Sequence, residues 1–132
     1  MNWKAMTEFV LDSSAVLADL RDEPGAAVVR SASPTSYLSA VNYAEIITKL
    51  IEAGTPPDSA GEIAEQLGYT VVVADQERAA SAGKLHAKTR RTGVSIGDRF
   101  CLALAQELSL PALTGDRRWK SLDLGVEVTL IR

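Results

Sequence analysis

Histidine and cysteine are almost missing from this chain: 132 residues hold one of each, His86 and Cys101. A lone cysteine forms no internal disulfide, and one cysteine with one histidine leaves almost no material for a Cys–His zinc site or a Ser–His–Asp triad. Cys101 sits among Phe100, Leu102 and Leu104 and reads as a small buried apolar residue. His86, between Lys84 and Lys88, reads as a solvated surface group. Long apolar runs are missing too. None approaches the roughly 20 residues that span a bilayer, and Met1–Met6 has neither a long apolar region nor a small-residue cleavage site. The expectation is a cytoplasmic protein with no membrane contact. Basic excess is also absent: 14 Lys and Arg stand against 17 Asp and Glu, a net charge of −3. A passive nucleic-acid binder is usually basic, so the acidic balance leans toward carboxylates that hold cations.

What is present suits one globular domain spanning 1–132, with 46% apolar and 23% charged residues and enough length for one core. Phe9–Leu11 is a short apolar run ending at Asp12, which predicts a buried strand. Helical patterns follow at about 14–20 and 25–32, a second strand at Ser36–Ser39, and a helix over Val41–Ala53. Tyr43, Ile46, Ile47, Leu50 and Ile51 form that helix's apolar stripe. Gly54 and Pro56-Pro57 end it. A helix at about 58–67, a valine-rich strand over Thr70–Ala74 and a helix over 76–91 come next. Ser95-Ile96-Gly97-Asp98 has the form of a capping box opening a helix to about Leu108. Strands at Pro111–Thr114 and Val126–Ile131 complete the series. Strands alternating with helices predict an α/β fold, a mostly parallel sheet of about five strands covered on both faces. Ligands bind such sheets beyond the carboxyl ends of the strands, which directs attention to Asp12 and Asp116.

Four acids are candidates: Asp12, Glu45, Asp98 and Asp116. Magnesium or manganese takes hard oxygen ligands, and phosphodiester cleavage uses such ions to polarise the phosphoryl oxygen, activate water and steady the leaving group. Carboxylates gathered without cations repel and raise one another's pKa. Each acid also has an ordinary explanation. Asp12, before Ser13-Ser14, suits a helix cap. Glu45 with Lys49 suits a surface ion pair, and the helical wheel sets Glu45 opposite the apolar stripe. Asp98 suits a helix start, and Gly115-Asp116 suits a turn.

Order and context add to these readings. Phe9 to Ala18, with Asp12 inside it, resembles the opening strand and first acidic ligand of the PIN-domain family. Asn42-Tyr43-Ala44-Glu45-Ile46 is similar to that family's helix-borne glutamate. Ser95 to Ala105 resembles its third acidic motif, and Leu113-Thr114-Gly115-Asp116-Arg117-Arg118-Trp119 its fourth. The likeness runs from Thr7 to Ile131 and is nearest to VapC-type toxins, ribonucleases paired with a small antitoxin. It implies a three-layer α/β/α sandwich with the four acids meeting in one pocket at the carboxyl end of the sheet. It implies that Asp12, Asp98 and Asp116 ligate Mg2+ or Mn2+ and that Glu45 is a ligand or positions the attacking water. Thr114, and less directly Ser13, would support the site. It further implies an RNA substrate, an antitoxin lying across the helices at about 14–32 and 42–67, and a homodimer. Val16, Leu17, Leu20, Ile47, Ile51 and Ile63 supply that surface, or belong to the core. Met6-Thr7-Glu8-Phe9 resembles the family's natural start, which makes residues 1–5 a dispensable extension.

Lys84, Lys88, Arg90, Arg91, Arg99 and Lys120 read mostly as solvated helix faces. Arg117 and Arg118 follow Asp116 directly, and at least one is expected near a substrate phosphate. Trp119 suits base stacking, although Leu122 and Leu124 nearby favour packing. The main rivals are a magnesium-dependent phosphatase of the haloacid dehalogenase type and a phosphoacceptor receiver domain. The first wants an aspartate two residues after Asp12, where Ser14 stands; the second wants an acid beside Asp12, and there is none. A catalytically silent PIN-like partner-binding domain is the non-enzymatic rival.

Overall fold

A computed structural model describes residues 6–132; the expected dispensable segment 1–5 lies outside them. Strand β1 (Val10–Leu11) is followed by helices α1 (Ser13–Leu20) and α2 (Ala26–Arg30). Then come β2 (Tyr37–Ser39), α3 (Ala40–Glu52) and α4 (Pro57–Glu65). The chain continues through β3 (Thr70–Val72), α5 (Gln76–Lys84), α6 (His86–Thr89) and α7 (Ile96–Leu108). It ends with β4 (Ala112–Thr114), a 3-10 helix (Arg117–Ser121) and β5 (Val128–Leu130).

The strands form one sheet in the order β3-β2-β1-β4-β5, every pairing parallel. Successive strand residues face opposite sides. Leu11, Leu38 and Leu113 pack with α1 and α3 in one core, whereas Val10, Ala112 and Val128 pack with α5 and α7 in another. Two cores on the two faces make the expected α/β/α sandwich. They also explain why β1 and β4 carry no polar alternation: both faces of these strands are dry.

The strand order places the topological switch between β1 and β4. From β1 the chain moves outward through β2 to β3, then returns to β4 on the opposite side of β1. Connections leave the two strand ends in opposite directions there, and in sheets of this kind ligands bind outside the carboxyl ends of the strands at that point.

Three elements depart from the sequence reading. The valine-rich strand stops at Val72, because β3 is an edge strand and Val71 and Val73 face solvent. The helix expected over 76–91 divides at Leu85, whose carbonyl accepts the Thr89 hydroxyl at 2.9 Å. Side-chain bonding of that kind competes with the helical ladder. On α3 the apolar stripe stops short of Ile51, which is exposed.

Candidate active site

β1 ends at Asp12, whose backbone N–H still donates to the Leu113 carbonyl at 3.1 Å. The backbone there is extended, and the side chain caps α1 by accepting from Ala15 N–H at 2.9 Å. Two hydroxyls also point at this carboxylate. Ser14 Oγ donates at 2.7 Å and Thr114 Oγ1 at 2.6 Å. Both continue across the switch point, since Ser14 Oγ accepts from Gly115 N–H at 3.0 Å and Thr114 Oγ1 from Asp116 N–H at 3.0 Å. The ends of β1 and β4 are thus laced together through one carboxylate that is 3% exposed.

Burial dominates the acidity of this group. Desolvation pushes the Asp12 pKa up to about 6, against the opposing pull of the Thr114, Ala15 and Ser14 hydrogen bonds and with a further push from the Asp98 charge. A carboxylate held in this way gains from a cation placed against it.

Thr114 is fully buried and serves both aspartate turns. Thr114→Val is expected to cost about 1–3 kcal/mol, because it leaves the Asp116 N–H unpaired and takes a donor from Asp12. That donor favours the ionised carboxylate, so urea unfolding should show a larger loss at pH 8 than at pH 5.

Asp98 completes the expected capping box of α7: its N–H donates to Ser95 Oγ at 3.1 Å, and Ser95 N–H donates to its carboxylate at 2.9 Å. Glu45 lies where the helical wheel did not put it. It is half-buried against the first turn of α7, accepting from Asn42 Nδ2 at 2.8 Å and from Ser13 Oγ at 3.3 Å. The wheel misled because α3 packs on α7 as well as on the sheet and α1, so α3 has more than one inward face. Lys49 pairs with Glu52 at 3.4 Å rather than with Glu45. The charges of Asp12, Asp98 and Glu45 all bear on the buried Cys101 thiol, whose pKa burial already drives up. Glu45 and Asp98 thus both lie at the first turn of α7, and Asp12 stands one residue before Ser13, whose hydroxyl donates to Glu45.

Asp116 is arranged differently. Its side chain caps the 3-10 helix through Arg118 N–H at 3.0 Å and is held by the Arg118 guanidinium at 2.6 Å. That side-chain contact is the main reason its pKa is lowered. Arg118 also donates to the Thr92 carbonyl at 3.1 Å, tying the Asp116 turn to the loop before α7. Among the described residues no group of three or more acids, histidines or cysteines stands as a ready ligand set. The donors fit a hard cation by chemistry, as carboxylate and hydroxyl oxygens, with Asp116 engaged by Arg118.

Arg117 is exposed. Trp119 is fully buried in the core that holds Val10, Leu124 and Val128, so the packing role favoured by its neighbours holds and base stacking drops out. Three participants escaped the sequence reading. Ser14 is the closer serine to Asp12, but in Ser13-Ser14 only the direction of the helix turn distinguishes the two. Asn42 is fully buried and bonded to Glu45; the signal was a polar residue one turn before an acid. Arg132 lies over Gly115 and donates to the Pro24 carbonyl at 2.9 Å, with no local pattern to announce it.

A parallel five-stranded sheet with helices on both faces, aspartates following β1 and β4 and a buried carboxylate at the switch point describe an α/β domain of one class. The chain belongs to the PIN domain family, whose model matches residues 9–124. No curated protein matches the sequence. Among solved structures the fold is similar to a toxin–antitoxin complex from Klebsiella pneumoniae, with 13% identity and a TM-score of 0.73 over 95% of this chain and 98% of that one. It is similar to VapC20 from Mycobacterium tuberculosis, described as a sarcin–ricin loop cleaving toxin, with 16% identity and a TM-score of 0.72 over 91% and 99%. DNA-bound VapBC from Salmonella typhimurium matches with 18% identity and a TM-score of 0.70 over 96% and 100%.

Proposed function

We propose that this chain is a divalent-cation-dependent endoribonuclease and the toxin of a toxin–antitoxin pair. The observation that carries the reading is Asp12, a desolvated carboxylate at the sheet's switch point that also feels the Asp98 charge, in a chain of the PIN family. Such an arrangement is costly unless positive charge arrives. Mg2+ or Mn2+ would be held by Asp12, Asp98 and Asp116, with Glu45 a ligand or the group that positions water. When bound, the ion supplies phosphoryl polarisation and water activation. Thr114 and Ser14 fix the Asp12 carboxylate, Ser13 and Asn42 restrain Glu45, and Arg117, exposed beside Asp116, would meet an RNA phosphate. Arg118 is the switchable member: releasing Asp116 would open the fourth carboxylate and offer a guanidinium to the same phosphate.

Toxin-complex neighbours support an antitoxin partner. Val16 and Leu17 are core, so they drop out of the expected binding surface, whereas Leu20 and Ile51 remain exposed. They lie near the ends of α1 and α3, which Arg21 joins by donating to the Lys49 carbonyl at 3.4 Å. An antitoxin crossing there toward the acids, and a homodimer with its sites facing one groove, complete the proposal.

Single-stranded RNA incubated with the purified chain and Mg2+ or Mn2+ should be cut, and EDTA should stop the cutting. Expression alone should arrest growth, and co-expression of the genomic neighbour should relieve it. Cleavage in vitro without growth arrest would leave the nuclease and remove the toxin. The silent-domain alternative draws on the Asp116–Arg118 ion pair, and intact RNA with either metal would establish it.

A further inference from the structure

α3 and α7 meet where Asn42 faces Gly97. Asn42 is fully buried, and its amide nitrogen makes two contacts: one to Glu45 Oε1 at 2.8 Å and one to the Gly97 carbonyl at 3.1 Å. Both amide protons are thereby committed to a single task, joining the glutamate to the first turn of α7. The amide oxygen of Asn42 is buried with no hydrogen-bond partner. Flipping the amide would turn that oxygen toward a carboxylate and a carbonyl, which are acceptors only. An orphaned buried acceptor calls for an explanation, and a core packed for stability alone would place an apolar side chain here.

Gly97 supplies the second half. It is buried on the second position of α7, where alanine is the better helix former. A Cβ at that position would overlap the Glu45 carboxylate. The residue next to it is Asp98, whose carboxylate closes the α7 capping box, and Glu45 also accepts from Ser13, the residue after Asp12. Two local choices that each weaken the fold therefore converge on one carboxylate.

We infer that Asn42 and Gly97 are positioning residues that clamp the Glu45 carboxylate against the first turn of α7, setting its distance from Asp12 and Asp98. Asn42 holds Glu45 by donation, and the missing Gly97 side chain makes the space that carboxylate occupies. Neither residue touches substrate. The inference rests on the nuclease reading for the consequence in turnover, and on the geometry alone for the clamp.

Asn42→Leu keeps side-chain volume and removes both donors and the orphan acceptor. Gly97→Ala adds one methyl and favours the helix. Each is expected to lower kcat on single-stranded RNA with Mn2+ by about 10- to 100-fold, the usual range for groups that orient a metal site. KM and the thermal midpoint should stay near wild type, and the double variant should lose no more than the worse single variant. Mn2+ affinity by calorimetry should fall about tenfold in both, again within that range. In 15N spectra the Asn42 side-chain amide should shift on Glu45→Gln. Wild-type kcat in both variants overturns the inference, as does a loss of kcat that tracks a loss of thermal stability. If the wild-type chain leaves RNA intact with either metal, the nuclease reading fails by itself. The clamp is then decided by Mn2+ affinity: a tenfold loss sustains it, and unchanged affinity overturns it.

Discussion

Asp12→Asn should abolish RNA cleavage while leaving the metal-free protein at least as stable as wild type at pH 7. The two effects separate because the carboxylate has two jobs. As a cap it accepts from Ala15 N–H, and asparagine caps a helix about as well as aspartate. As a charge it is buried, desolvated and beside Asp98, and asparagine removes that cost. Loss of a direct ligand or base should lower turnover by roughly a thousandfold or more, given that positioned electrostatic groups of this kind are worth about 10²–10³ or more each.

The pH dependence gives a second readout. In the folded chain the Asp12 pKa is about 6, against an ordinary 3.8, so folding favours the protonated carboxyl. Its stabilising contribution is full below about pH 4 and is lost as pH rises through 6. At about 1.4 kcal/mol per pKa unit, the loss approaches about 3 kcal/mol. Urea unfolding should therefore show wild type weakening relative to Asp12→Asn between pH 4 and pH 7. Mg2+ at pH 7 should restore wild type alone. A variant weaker than wild type at pH 7 without metal would make Asp12 a structural cap only.

The second large effect is expected from packing rather than charge. Trp119→Ala should cost about 3–5 kcal/mol, the range for emptying a fully buried aromatic site. Trp119 is the largest fully buried side chain among the described residues. It anchors the 3-10 helix that Asp116 caps, on the core shared with α7 and β5. Its indole N–H has no hydrogen-bond partner, so the loss is one of packing. Trp119→Phe, which keeps a ring and removes the unpaired donor, should recover much of it. Thermal unfolding would check both, and an alanine variant within about 1 kcal/mol of wild type, the spread of surface substitutions, would refute the core assignment.

How far the site could be read in advance follows from the range of each signal. Asp12 was legible because a dry apolar run stopping at an acid is a local pattern, and so was the Ser95–Asp98 capping box. The alternation of strands and helices announced the layered sheet, and strand order then fixed the switch point. Glu45 was legible only by family likeness. Its orientation depends on α7, more than fifty residues away, and a helical wheel knows nothing of a second partner helix. Asn42 and Gly97 were invisible for the same reason: a buried asparagine and a first-turn glycine look like weak choices until the two helices are set side by side. Arg118 gave a half-signal. Its closeness to Asp116 was plain, but the local ion pair was not.

Three of the four acids are also first-turn groups. Asp12 caps α1, Asp98 closes the α7 capping box and Asp116 caps the 3-10 helix. The instructions for where helices begin and the groups proposed for the reaction are the same atoms. Mutational drift meets this overlap unevenly. A change of Asp12 or Asp116 to an apolar residue destroys cap and charge together and yields a chain that folds poorly. A change to asparagine keeps the cap and yields an inert chain of normal shape. Under the toxin reading, such a copy would still occupy the antitoxin, and in a cell with an active copy it would act as a decoy that releases the active one.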